Sequence, residues 1–212
     1  MNNDLSIEQV DTCQQKLYKI KTKETTFYKK HIINNHSWYT FNNDDIYSRI
    51  KNAYDVLQKN DIGCPNAKFD DDNKIVIMDE VKGIHLSESK NINHWYKCGV
   101  MLNKLHKTGY IHGDFHQENI FIDSNDNIIF IDFEEFISQN IADSLYDLTE
   151  LYINTMYKDE NMSKYYYSFL KGYGLNECFV LGIKYNIDKI RTRNKNYIKW
   201  CKCNNIDPIL IS

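Results

Sequence analysis

Tyr110-Ile111-His112-Gly113-Asp114-Phe115-His116-Gln117-Glu118-Asn119, with the two apolar runs that follow it, decides how this chain is read. Ile120-Phe121-Ile122 and Ile128-Ile129-Phe130-Ile131 are separated by Asp123-Ser124-Asn125-Asp126-Asn127, a run of turn formers. Such a pattern is a β-hairpin, because Asn and Asp side chains bond their own backbone and tolerate tight turns. With the turn centred between Asn125 and Asp126, Asn119 faces Asp132 across the open end of the hairpin. An amide oxygen and a carboxylate then stand side by side on a rigid element. Hard oxygen donors of this kind suit Mg2+, with phosphate oxygens completing its shell. Asp114, on the loop that enters the hairpin, is placed to take a proton from an attacking hydroxyl while the metal neutralises a transferring phosphoryl group. Singly, each of these residues is an ordinary loop or turn group; their convergence points to chemistry.

Upstream, Gln15 to Lys21 and Thr25 to Ile33 are rich in Tyr, Ile, Thr and Phe and read as two strands around the turn Thr22-Lys23-Glu24. Tyr47, Ile50, Tyr54 and Leu57 recur at helical spacing, with Asp44 or Asp45 as the cap and Gly63-Cys64-Pro65 as the stop. Lys74-Ile75-Val76-Ile77-Met78 is a short buried strand after an Asp-rich turn. From Asn91 the period changes: Trp95, Cys98, Leu102 and Leu105 share one helical face. Beyond the hairpin, Leu145, Leu148, Leu151, Tyr152 and Thr155 form another stripe, and Tyr165 to Leu170 begins a further helix. Strands first and helices afterwards make an α+β chain, with a sheet lobe over residues 1–80 and a mostly helical lobe over 81–212.

The segment around Asp114 resembles the catalytic loop of the protein-kinase-like phosphotransferases, and Ile131-Asp132-Phe133-Glu134 resembles their metal-binding segment. Leu102 to Ile111, with Leu105-His106 and Gly109, is similar to their approach helix. Ile77-Met78-Asp79-Glu80-Val81-Lys82-Gly83 resembles the interlobe hinge. The resemblance implies a bilobal fold that transfers the γ-phosphate of ATP to a hydroxyl with Mg2+. Asp114 would be the base, His112 would hold the loop, Asn119 and Asp132 would bind metal, and backbone groups of Asp79 and Val81 would contact adenine. Of the lysines in Thr26-Phe27-Tyr28-Lys29-Lys30, strand alternation sends only one inward, and Lys29 is the expected phosphate anchor with Lys30 the alternative. His116, two residues after the base, is similar to the aminoglycoside, choline and lipopolysaccharide core kinases. Asp143 to Tyr152 and the run Lys189 to Lys195 resemble instead the small atypical kinase of the tRNA-modifying KEOPS complex. That likeness implies a protein Ser/Thr acceptor, a partner protein complex, and an Asp147 that braces the catalytic loop. A sugar or other small-molecule acceptor is the alternative, and a non-catalytic scaffold the second.

Three features depart from that pattern. No glycine precedes Gly63, so a Gly-rich phosphate cover is missing, and Thr22-Lys23-Glu24 is the expected substitute. No glutamate stands where a helix should offer one to the anchoring lysine, and Glu134 replaces the glycine after Asp132-Phe133. Only residues 133 to 146 separate Asp132 from Asp147, which leaves no room for a long activation loop and implies a constitutively formed site.

Composition excludes other classes. With 26 Lys+Arg against 29 Asp+Glu, the net charge of −3 gives no global pull toward nucleic acid or membranes. The basic stretch Lys184 to Lys202, interleaved with Tyr185, Tyr197 and Trp200, reads as a solvated helix face rather than an RNA footprint. The six cysteines lack zinc spacing, no signal peptide is apparent, and no apolar run approaches a bilayer's ~20 residues. The expectation is a cytoplasmic protein.

Overall fold

The structure, a computed structural model, describes residues 5–11, 16–32, 46–139, 144–155 and 160–176. Five antiparallel strands come first, in the order β1-β2-β3-β5-β4. They are β1 (Ser6–Asp11), β2 (Lys16–Lys21), β3 (Thr26–His31), β4 (Ala67–Asp70) and β5 (Ile75–Asp79). Helix α1 (Ile46–Lys59) is inserted between β3 and β4 and buries Ile46, Tyr47, Ile50, Ala53, Tyr54 and Leu57. Burying a side chain of that size stabilises by about 1.5–3 kcal/mol, so this stripe anchors the helix. The helix stops at Lys59, before the expected breaker. Gly63 serves packing instead, because a Cβ there would lie 2.0 Å from the Ile128 carbonyl oxygen.

After β6 (Gly83–His85) come α2 (Ile92–His106), β7 (Tyr110–Ile111), β8 (Ile120–Asp123), β9 (Ile128–Phe130), β10 (Ile137–Ser138), α3 (Leu145–Thr155) and α4 (Ser163–Tyr173). Helices α2 and α4 approach closely through glycines. A Cβ at Gly99 would meet the Phe169 carbonyl oxygen at 2.0 Å, and one at Gly172 would meet that of Tyr96 at 2.0 Å. One continuous core runs from α1 through Trp95, Leu102, Phe115 and Phe130 to Tyr166 and Phe169. The α+β architecture with a sheet part and a helical part is as expected. Among the described residues, no helix is long and apolar enough to cross a membrane.

Three local expectations are corrected. The strands β1, β4, β6, β7 and β10 were not foreseen. The β8–β9 register sets Ile120 opposite Phe130, so Asn119 faces Ile131, whose N–H donates to the Asn119 carbonyl at 3.0 Å. The shift by one residue comes from the turn, where Asp126 takes a left-handed φ of 60° and lengthens the loop to three residues. Finally, the turn Thr22-Lys23-Glu24 lies at the end of β3 near Asp79, whereas Lys30 lies at the other end, opposite Val76. Four residues of strand, about 13 Å, separate the two. Residues 12–15, between β1 and β2, lie outside the described residues. Lys184 to Lys202 also lies outside them.

Candidate active site

The loop from His112 to Asn119 is held from beneath by a buried carboxylate. Asp147, fully buried in the first turn of α3, accepts from the His112 N–H at 2.7 Å and the Gly113 N–H at 2.8 Å. Its Oδ2 also meets His106 Nε2 at 2.9 Å. The bracing expected of Asp147 is thus present. Two loop amides with no sheet or helix partner are satisfied by one side chain. Gly113 is required at its place: φ is 85°, and a Cβ would lie 2.1 Å from the Glu135 carbonyl oxygen.

His112 is fully buried against Phe115, Phe130 and Phe133. Its Nε2 lies 2.9 Å from the Ile131 carbonyl, which can only accept, so that nitrogen carries the proton. Burial disfavours the imidazolium, and the His112 pKa is lowered despite the nearby carboxylates. His112 therefore ties the loop to the residue just before Asp132 rather than meeting a ligand itself.

Asp114 projects into solvent, its side chain 42% exposed. Asn119 Nδ2 donates to the Asp114 carbonyl at 3.0 Å and to its Oδ2 at 3.1 Å, and His116 Nε2 stands 3.6 Å from the same oxygen. Burial works against the charged form of His116, but hydrogen bonding and attraction to Asp114 outweigh it and raise its pKa. With Oδ2 oriented this way, Oδ1 accepts no hydrogen bond from a described residue. Half-buried Glu150 on α3 belongs to the same field: burial, then the charge of Asp114, pushes its carboxyl up to about 7.

Asp132 follows the hairpin with a left-handed φ of 64°. In a continuing strand its side chain would point away from that of Ile131; the left-handed backbone departs from that alternation, and the side chain meets Lys30. Lys30 Nζ reaches Asp132 Oδ1 at 2.9 Å and forms an ion pair with Glu134. Burial opposes both charges. The attraction outweighs it, so the Lys30 pKa is raised and the Asp132 carboxyl is held below its ordinary range. The lysine that meets Asp132 is therefore Lys30, the alternative of the two, and not the expected Lys29. On β3, Lys30 shares a face with Tyr28, while Lys29 lies on the opposite face, where its charge acts on Asp70.

At the end of β5, the Asp79 N–H donates to the Asn66 carbonyl at 3.0 Å, which leaves its carbonyl as the backbone group open to a ligand. Val81 N–H has no acceptor among the described residues. For the divalent cation, Asn119 commits its amide nitrogen to Asp114 and keeps its oxygen, and Asp132 is held ionised. That donor pair fits Mg2+ completed by phosphate and water oxygens. Among the described residues no group of three or more His, Cys, Asp or Glu is arranged for a metal, so these residues alone do not form a cage. Sequence reasoning missed Glu134 as a partner for the lysine; its signal was the departure from glycine at that position.

The segment that contains the loop, the hairpin and Asp132 has counterparts among known proteins. Residues 92–178 match the family described as Phosphotransferase enzyme family (APH). Among solved structures, the chain is similar to spectinomycin phosphotransferase APH(9)-Ia in complex with ADP and spectinomycin. That likeness has 13% identity and a TM-score of 0.57, covering 81% of this chain and 74% of that one. It is also similar to a putative aminoglycoside phosphotransferase from Ralstonia eutropha JMP134, at 10% identity and TM-score 0.53, covering 83% and 77%. The chain thus shares the fold of these phosphotransferase structures. No curated protein matches it in sequence.

Proposed function

We propose that the chain is an ATP-dependent phosphotransferase whose acceptor is a hydroxyl on a small molecule. The observation that carries the reading is the Asp114 carboxylate, oriented through one oxygen by Asn119 and open at the other, with His116 in the field of both Asp114 and the Lys30-paired Asp132. The nucleotide would lie between a sheet lobe, residues 1–80, and a helical lobe from residue 81. Backbone groups of Asp79 and Val81 would meet the adenine edge, and Lys30 would contact the α- and β-phosphates. Asn119 and Asp132 would hold Mg2+, which supplies charge neutralisation on the phosphates. Asp114 positions the acceptor hydroxyl and takes its proton as oxygen bonds to the γ-phosphorus and the bond to the β-phosphate oxygen breaks, releasing ADP. His112 and Asp147 position the loop and touch neither substrate.

The small-molecule acceptor is supported by the match over residues 92–178 and by the short chain between Asp132 and Asp147. The Ser/Thr-protein acceptor expected from the KEOPS-like helix has no counterpart among these likenesses. Free Cys64 and Cys98 suit a reducing, cytoplasmic setting. The test is incubation with γ-labelled ATP and Mg2+ alongside aminocyclitols, amino alcohols, sugars and Ser/Thr peptides. Label should pass to a small molecule and fall about 10²–10⁴-fold in Asp114→Ala. Transfer to peptides alone would move the acceptor class. No transfer and no ATP turnover would end the kinase reading.

A further inference from the structure

We propose that Glu134, from the segment after Asp132, is the positioning residue that holds Lys30, a task the α1 helix does not perform. The inference rests on the phosphotransferase reading and deepens it.

Consider first what α1 offers. Its first turn has no acidic residue, and its one carboxylate, Asp55, is exposed on the outer face. The buried charge on the helix is Arg49, only 8% exposed, which faces Glu135 Oε2 at 3.8 Å. A buried guanidinium repels an ammonium and attracts a carboxylate. The helix therefore holds the 133–136 segment through Glu135 and gives Lys30 no counter-charge of its own.

That segment supplies the counter-charge instead. The Glu134 side chain, 10% exposed, pairs with a Lys30 side chain that is 14% exposed, whereas Asp132 is 40% exposed. The more enclosed pairing is the one less weakened by water. Glu134 is also rigidly placed. Phe133 is buried against Tyr54, His112 and Phe136, and the Phe136 N–H closes a turn onto the Phe133 carbonyl at 3.2 Å. The Ile131 carbonyl is fixed by His112, and the Glu135 carbonyl lies against Gly113. Glu134 thus rides on the same few residues that place Asp132. One short piece of backbone sets both the Asp132 carboxylate and the counter-charge of the lysine.

The roles are then distinct. Asp132 shares Lys30 but has an oxygen and an exposed face for the cation, while Glu134 keeps the lysine aimed. Glutamate in place of glycine after Asp132-Phe133 and arginine on α1 become two halves of one rearranged circuit.

The test is a double-mutant cycle on the full chain with Lys30→Ala, Glu134→Gln and both together, reading ATP turnover and calorimetric binding of Mg·ADP. Glu134→Gln should lower kcat at least about tenfold, with KM for ATP within about threefold in protein that remains folded by circular dichroism. Combined with Lys30→Ala it should cost nothing further, since it acts through that lysine. Glu134→Asp, which keeps the charge, should recover part of the loss. Losses that add, or a Glu134→Gln enzyme with wild-type kcat, would overturn the role of Glu134 and leave the phosphotransferase reading intact. If turnover is too slow to follow, weaker Mg·ADP binding in Glu134→Gln that is not weakened further in the double variant upholds the proposal. Wild-type protein that neither binds Mg·ADP nor transfers phosphate would overturn both.

Discussion

The loop and hairpin from Ile111 to Phe136 contrast with the sheet edge formed by β1 to β3. In the first, Ile111, His112, Phe115, Ile120 and Phe130 are fully buried, and orphan amides are met by a buried carboxylate. In the second, β2 and β3 contain no buried residue, and Lys19 and Glu80 form an ion pair in water's reach. The half that would carry the chemistry is over-determined by packing. The half that would grip the nucleotide is held by backbone pairing and a few charges, and Lys30 is the strand residue that joins the two. Geometry needed to within an ångström is built on the buried half, and adjustable contact is left to the exposed half.

Breaking the brace should have the largest effect. Asp147→Ala strips the His112 and Gly113 amides of their acceptor and leaves His106 facing a void. Loss of one buried partner costs about 3–5 kcal/mol, and urea unfolding should show it. A variant as stable as wild type would mean that the loop stands without its carboxylate.

The contrast between neighbouring lysines comes next. Lys30→Ala should lower kcat by about 10²-fold or more, the scale of removing one donor to developing charge. Lys29→Ala should stay within about twofold, as surface substitutions do. Equal losses would mean that the face assignment of β3 is wrong.

The smallest effect concerns pH. The Glu150 carboxyl is pushed up to about 7 in the folded chain, from 4.5. A raised carboxyl stabilises the fold below its unfolded pKa, and that contribution is lost as pH rises through about 7. Glu150→Gln should therefore flatten the fall in thermal midpoint between pH 5 and 8. Water screens a half-buried group, so the difference should be about 2 °C at this chain length. A slope that survives the substitution would assign it to another group.

The buried half was legible in the sequence because its signals are local: turn formers between apolar runs, and a carboxylate in a helix's first turn. The exposed half was not. Ser6–Asp11 and Ala67–Asp70 carry few apolar residues, so no alternation betrays their pairing. Alternation along β3 separates Lys29 from Lys30, but only the packing of the sheet decides which face looks inward. The hairpin was foreseen and its register was not, because a single left-handed residue, Asp126, sets the loop length. Glu134 was legible only as an oddity, since the residue it answers, Lys30, lies a hundred positions away.

That turn has an evolutionary consequence. His94 and Lys97 on α2 both reach Asp126, at 3.0 Å to its carboxylate and 3.0 Å to its carbonyl, which pins the hairpin tip. Deleting one residue between Asp123 and Asn127 would swap the faces of Ile128 and Phe130 against Ile120 and Ile122. Substitutions there alter a surface, whereas a change of length scrambles a core and displaces Asp132. In related sequences the spacing from Asn119 to Asp132 should therefore drift far more slowly than the residues that fill it.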